Sequence, residues 1–181
     1  AKVPVLQVDD DVLFESNAIA EFLDEVVEPR LAPIDAIERA RHRAWTDFTG
    51  GWASALNKVN YAKTKKEHTT ALEELPVTLQ KIEDALSERS NGGPYFSNAN
   101  LCLVDAAYAP FLMRFDIVEK INPTGVLKKF PLIKAWSNAL LNNQFIIGSV
   151  SEDFTKVYEN NLYKRETLAS QILEQKRKAL E

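Results

Sequence analysis

Two stretches carry residue types from which a binding site could be built. The first joins "KVPVL", residues 2–6, to "ESNAI", residues 15–19. A serine at a helix start offers its backbone N–H, its hydroxyl and the positive end of the helix dipole to an anion. A short strand at a sheet edge exposes unpaired backbone groups, which pair with an extended peptide as another strand would. Together they offer non-covalent capture of a small charged peptide. The second stretch is "YFSNANLCLVDAAYAP", residues 95–110. Asp105 stands three residues after Cys102, the spacing at which a carboxylate accepts the backbone N–H of a helix cap. Leu101 is placed to staple onto Ala106. A thiol at a helix start is also a candidate reactive group, because the dipole lowers its pKa.

Other chemistry-bearing residues have plainer readings. His42 lies in "RARHRAW" among arginines and reads as a solvated or interface position. His68 falls in the polar stretch "KTKKEHTT" with no partner in view. Neither has metal-ligand company. Trp45, Phe48 and Trp52, and likewise Tyr108, Phe111 and Phe115, recur at helical spacing, which usually means core.

The elements that must position these residues are unequal in size. "VPVLQV" and "VLF" flank Asp9-Asp10-Asp11 and read as an antiparallel hairpin, followed by a helix over about 16–25. A hairpin is marginal alone and needs a third strand or a covering helix. Pro29 and Pro33 bracket a linker. Beyond it, apolar periodicity predicts helices over about 34–59, 70–90, 102–120, 130–141 and 151–158, with breaks at "KTKKEHTT", "SNGGP" and "NPTG". Pro76 is expected to start or kink the second of these. The last residues have strong helix formers but a thin apolar stripe. The fold class is therefore mainly α, an all-helical C-terminal bundle preceded by a β-β-α element. The expected division is 1–28 and 29–181.

A net charge of −4 and a pI near 5.4 argue against a general nucleic-acid surface. No apolar run approaches the ~20 residues that span a bilayer. One cysteine excludes an internal disulfide and makes a cytoplasmic location the expectation. The sole methionine is Met113, so residue 1 is not an initiator.

The order of hairpin, "ESNAIAEFLDE", proline linker and helical bundle resembles the cytosolic glutathione transferases over essentially the whole chain. In that family "VPVL" is the third strand of a thioredoxin-like domain, entered through a cis-proline matched by Pro4. "ESNAI" matches the family's Glu/Gln-Ser pair. "CLVD" matches its capping box, with a departure: Cys102 stands where Ser or Thr is expected, weakening the helix by about 0.5–1 kcal/mol. The resemblance implies glutathione as co-substrate, no metal, a small electrophile as second substrate, and a homodimer. It implies that Val3 exchanges main-chain hydrogen bonds with the cysteinyl part of glutathione. Glu15 and Ser16 would hold the charged end of the γ-glutamyl part, and Lys2 would approach the glycyl carboxylate. The electrophile pocket would be walled by the helices carrying Trp45 and Tyr108, with Tyr108 its first candidate and Phe111 and Arg114 beside it.

The family's chemistry is attack by the glutathione thiolate, stabilised by a Tyr or Ser hydroxyl or replaced by a Cys mixed disulfide. That residue is expected upstream of "VPVL", so no catalytic residue is assigned within 1–181. The chain would then begin midway through its thioredoxin-like domain. "LAPIDAIERARHRAWTDF" and "FPLIKAWSNAL" are similar to bacterial omega-like or stringent-starvation-like members. The competing expectation is a non-catalytic interaction protein built on the same fold.

Overall fold

Asp9 and Asp10 close a tight turn between β1 (Val5–Val8) and β2 (Asp11–Phe14). Asp9 takes a left-handed φ of 52°, which aspartate tolerates better than most residues. The register pairs Val5 with Phe14 and Val8 with Asp11. Our computed structural model describes residues 3–89 and 92–179. Lys2, expected at the peptide site, lies outside the described residues.

α1 (Ser16–Val26) follows β2 directly. Its buried Asp24 accepts the backbone N–H groups of Leu31 (2.5 Å) and Ala32, so one carboxylate holds the linker against the helix. The Val3-Pro4 bond is cis, as the family resemblance implies, and Glu28-Pro29 is a second cis bond.

The bundle is built from α2 (Ala36–Asn60), α3 (Lys65–Ser87), α4 (Leu103–Ile121), α5 (Pro131–Leu141), α6 (Gln144–Ile147), α7 (Phe154–Lys164) and α8 (Leu168–Lys178). A short 3₁₀ turn, Val126–Lys129, precedes α5. Asp35 caps α2 by accepting from Ile37 and Glu38. α3 starts five residues before the position expected from its apolar stripe, because the Thr64 hydroxyl accepts the N–H of Glu67 and begins a helix inside the polar stretch. Pro76 lies within α3 without ending it. The tail forms α8, capped by Thr167, with Leu168 and Ala169 buried. α7 extends past residue 158, and α6 has too few residues for its periodicity to show in sequence.

The core is aromatic at its centre. Trp45, Phe96, Trp136, Tyr108 and Trp52 follow one another with ring centroids 5.4–5.8 Å apart. Asp105 anchors this column from within: fully buried, it accepts from Phe96 N (2.9 Å), Trp136 Nε1 (2.6 Å) and Cys102 N (2.8 Å). The 95–102 turn, α4 and α5 are thus tied to one carboxylate. The capping box expected at Cys102 and Asp105 is present, with the Cys102 sulfur over the N–H of Asp105.

Candidate functional site

Between the β-β-α element and the bundle lies a cleft of about 1440 Å³. One wall carries Val3 and Pro4 ahead of β1, and Ser16 at the start of α1. The other carries Ala107, Phe111 and Arg114 of α4, with Thr46, Thr49 and Gly50 of α2 between them. Val3 is 87% exposed, so its backbone is accessible to a ligand. Ser16 is exposed at the N-terminal residue of α1, where helix N–H groups have no intrahelical acceptor. Glu15 precedes it with φ 68°, its carbonyl accepting from Ile19 and its side chain making no cap bond. The helix start therefore faces solvent uncapped by any side chain, while α1 is held to α2 by Glu21–Arg43 at 3.0 Å and Asn17–Asp47 at 3.3 Å.

Of the pocket residues expected from sequence, Phe111 and Arg114 line the cleft and Tyr108 and Trp45 do not. Tyr108 is wholly buried, donating its hydroxyl to the Trp45 carbonyl at 2.9 Å and packing against Trp52 and Trp136. Burial pushes its phenol well above the ordinary range. Residues 107, 111 and 114 form one face of α4, whereas 108, 112 and 115 form the next, about 100° around the helix. The aromatic at 108 therefore belongs to the core. Trp45 packs half-buried against that same core.

His42 also departs from its expected role. It is 8% exposed and lines the cleft, with Nε2 2.6 Å from Ser97 Oγ and Nδ1 without a hydrogen-bond partner. Burial holds it below the ordinary value of 6.5 against the opposing pull of Glu38 and Asp105, so it is neutral at pH 7. Arg41 and Arg43 beside it are exposed, which is why the flanking charges misled the sequence reading. His68 does have a neighbour, Asn122 Nδ2 at 3.3 Å. Cys102 is buried, and desolvation with the nearby Asp105 carboxylate pushes its thiol up to about 12, removing the reactive-thiol alternative. Among the described residues no His/Cys/Asp/Glu group is arranged to hold a metal. No helix among them is long and apolar enough to cross a membrane.

Comparison with known proteins bears on this cleft. The glutathione S-transferase C-terminal domain family matches residues 46–147, and the glutathione S-transferase N-terminal domain family matches residues 1–25. The chain is 29% identical over 164 residues to glutathione S-transferase U16 of Arabidopsis thaliana, covering 87% of this chain and 70% of that protein. It is 31% identical over 151 residues to the probable glutathione S-transferase BZ2 of Zea mays, covering 75% and 64%. In fold it is similar to a Tau class glutathione S-transferase from mango, with TM-score 0.72 and 24% identity over 87% of this chain and 76% of that one. The rice protein OsGSTU1, solved in complex with glutathione, superposes with TM-score 0.74 at 22% identity, covering 90% and 75%. The lean toward bacterial omega-like or starvation-like members is corrected by these relatives, which are plant proteins.

Proposed function

We propose, for a chain that belongs to the glutathione S-transferase family, that the cleft binds glutathione on its Val3 and Ser16 wall and a small electrophile against α4. One observation carries the reading: the open backbone of Val3, the uncapped helix start at Ser16, and the Phe111–Arg114 face line a single cleft. The relatives named as glutathione S-transferases, and the rice structure solved with glutathione, support it.

In this reading Val3 pairs through its main chain with the cysteinyl part of the tripeptide. Glu15 and Ser16 hold the γ-glutamyl end, the carboxylate taking the Ser16 hydroxyl and helix N–H groups and the ammonium taking Glu15. Lys2 completes the set at the glycyl carboxylate. These residues bind and orient the thiol, placing its sulfur toward α4, where Phe111 and Ala107 offer an apolar wall for the second substrate. Residues 1–28 present glutathione and 29–181 carry the electrophile pocket. Pairing with a second copy of the chain, which the resemblance implies, belongs to the same reading.

Chromatography on immobilised glutathione tests it. The chain is expected to be retained and to elute with free glutathione. Passage in the flow-through, with the fold intact by circular dichroism, removes the reading.

A further inference from the structure

A second, smaller cavity of about 320 Å³ opens beside the cleft, sharing Phe111 and Arg114 with it. Its other walls come from Asn57 of α2 and Tyr61 just past that helix's C-terminal end, and from Tyr158 of α7, with Arg165 capping the C-terminal end of α7. Three features distinguish it from a packing defect. Tyr158 is 5% exposed, and its hydroxyl makes no hydrogen bond of ordinary geometry, facing only the phenol of Tyr61 and the charges of Arg114 and Arg165. Arg114 commits Nη1 to the Pro110 carbonyl (3.1 Å), and Arg165 commits Nε to Asn161 Oδ1 (3.0 Å). Among the described residues neither guanidinium has a carboxylate partner. The acids closest to them in sequence pair with other cations, Asp116 with Lys120 and Glu166 with Lys63.

The arginines are also held in place. The Arg165 guanidinium lies 4.7 Å over the Tyr61 ring, and that of Arg114 lies 5.8 Å over Phe111. Phe154 stacks on Tyr158 with planes 10° apart. The cavity thus presents two cations without a carboxylate partner, Arg114 half-buried and Arg165 exposed at its mouth, with a buried phenol and aromatic walls. Burial and the neighbouring Tyr61 phenol push the Tyr158 hydroxyl up, although Arg114 and Arg165 oppose this, so it keeps its proton and can donate.

We propose that Arg114, Arg165 and Tyr158 form a subsite for the anionic end of an aromatic second substrate, making this protein selective for electrophiles that carry a carboxylate. This rests on the glutathione-cleft reading for the word substrate. The shared Phe111 and Arg114 wall places such a ligand's aromatic body in the cleft and its charge beside α7. Arginine matches a carboxylate's geometry, and a guanidinium already stacked on a ring loses little freedom on binding.

The test is calorimetric titration of the chain with 4-nitrobenzoate and with its methyl ester, alongside a separate glutathione titration. The carboxylate is expected to bind about tenfold or more tightly than the ester, as charge-assisted hydrogen bonds imply. Arg165→Gln, outside the main cleft, is expected to abolish that preference while leaving the ester's affinity within about twofold. Arg114→Met, at a residue that also lines the cleft, is expected to abolish the acid-over-ester ratio whatever it does to the ester, and Tyr158→Phe to reduce that ratio several-fold. Equal binding of acid and ester by the wild-type chain overturns the proposal. So does a preference that survives both arginine substitutions. A chain that prefers the acid but ignores glutathione keeps the anion subsite and loses its role as part of a transferase pocket, so the two failures are separable.

Discussion

The β-β-α start and the helical bundle are built on opposite terms. In the bundle, Trp52, Tyr108, Trp136 and Phe115 are sealed from solvent and share one apolar cluster. In the start, Val5, Val12 and Phe14 are more than half exposed, and Ile19 is its one buried apolar side chain among the described residues. The bundle supplies stability from its own packing. The start is held by a few polar ties, chiefly the Asp24 carboxylate to the linker and Glu21 to Arg43. A region so lightly buried is free to present backbone and helix-end donors to a ligand, and a sealed region is not. The difference also says where substitutions should act: bundle changes on stability, changes at the start on binding.

The largest effect is expected inside the bundle. Asp105→Ala leaves three buried N–H groups without an acceptor and should cost at least about 3 kcal/mol in urea unfolding. Phe115→Ala should cost about 3–5 kcal/mol by the same measurement. Losses under 1 kcal/mol for both would break the contrast between the regions.

A pH effect of intermediate size follows from His42. Its folded value lies below the ordinary 6.5, so between the two values the unfolded chain binds the proton more readily. The stability it contributes is complete above 6.5 and is lost as pH falls through that window to the folded value. His68 is shifted in the same direction, burial outweighing Glu119. The melting temperature should therefore fall between about pH 7.5 and 5.5, and His42→Gln should flatten part of that fall. An identical slope in the variant would contradict the burial assigned to His42.

Smaller effects sharpen the comparison. Cys102→Ser puts a better acceptor over the N–H of Asp105 and is expected to stabilise the protein by about 0.5–1 kcal/mol. Phe14→Ser, on the exposed hairpin, should change stability by less than about 0.5 kcal/mol. A large loss there would show that the hairpin is covered in solution.

Much of the architecture could be read before any coordinates, for identifiable reasons. The α2 and α5 stripes repeat at helical spacing over enough residues to show their faces, and Asp105 was legible because "CLVD" resembles the family's capping box. The start of α3 was hidden because its signal is Thr64 and Glu67, a hydrogen-bonding pattern within a charged stretch that lacks an apolar stripe. At the candidate site, the cis bond before Pro4 and the helix start at Ser16 were legible through a motif. Tyr108 was misplaced because helical spacing identifies an aromatic face without saying what that face meets. His42 was misplaced because exposed arginines on either side mask an inward-facing position. The smaller cavity brings together Tyr61, Arg114 and Tyr158 from three distant parts of the chain, and no local pattern records that.

The account turns on whether the backbone edge at Val3 and the helix start at Ser16 act as one peptide-binding surface. Isothermal titration of glutathione into the chain and into Ser16→Ala addresses this most directly. One glutathione per chain, bound about tenfold or more weakly once the hydroxyl is removed, is the predicted outcome. Absence of binding by the intact chain, or equal affinity in both proteins, would contradict it.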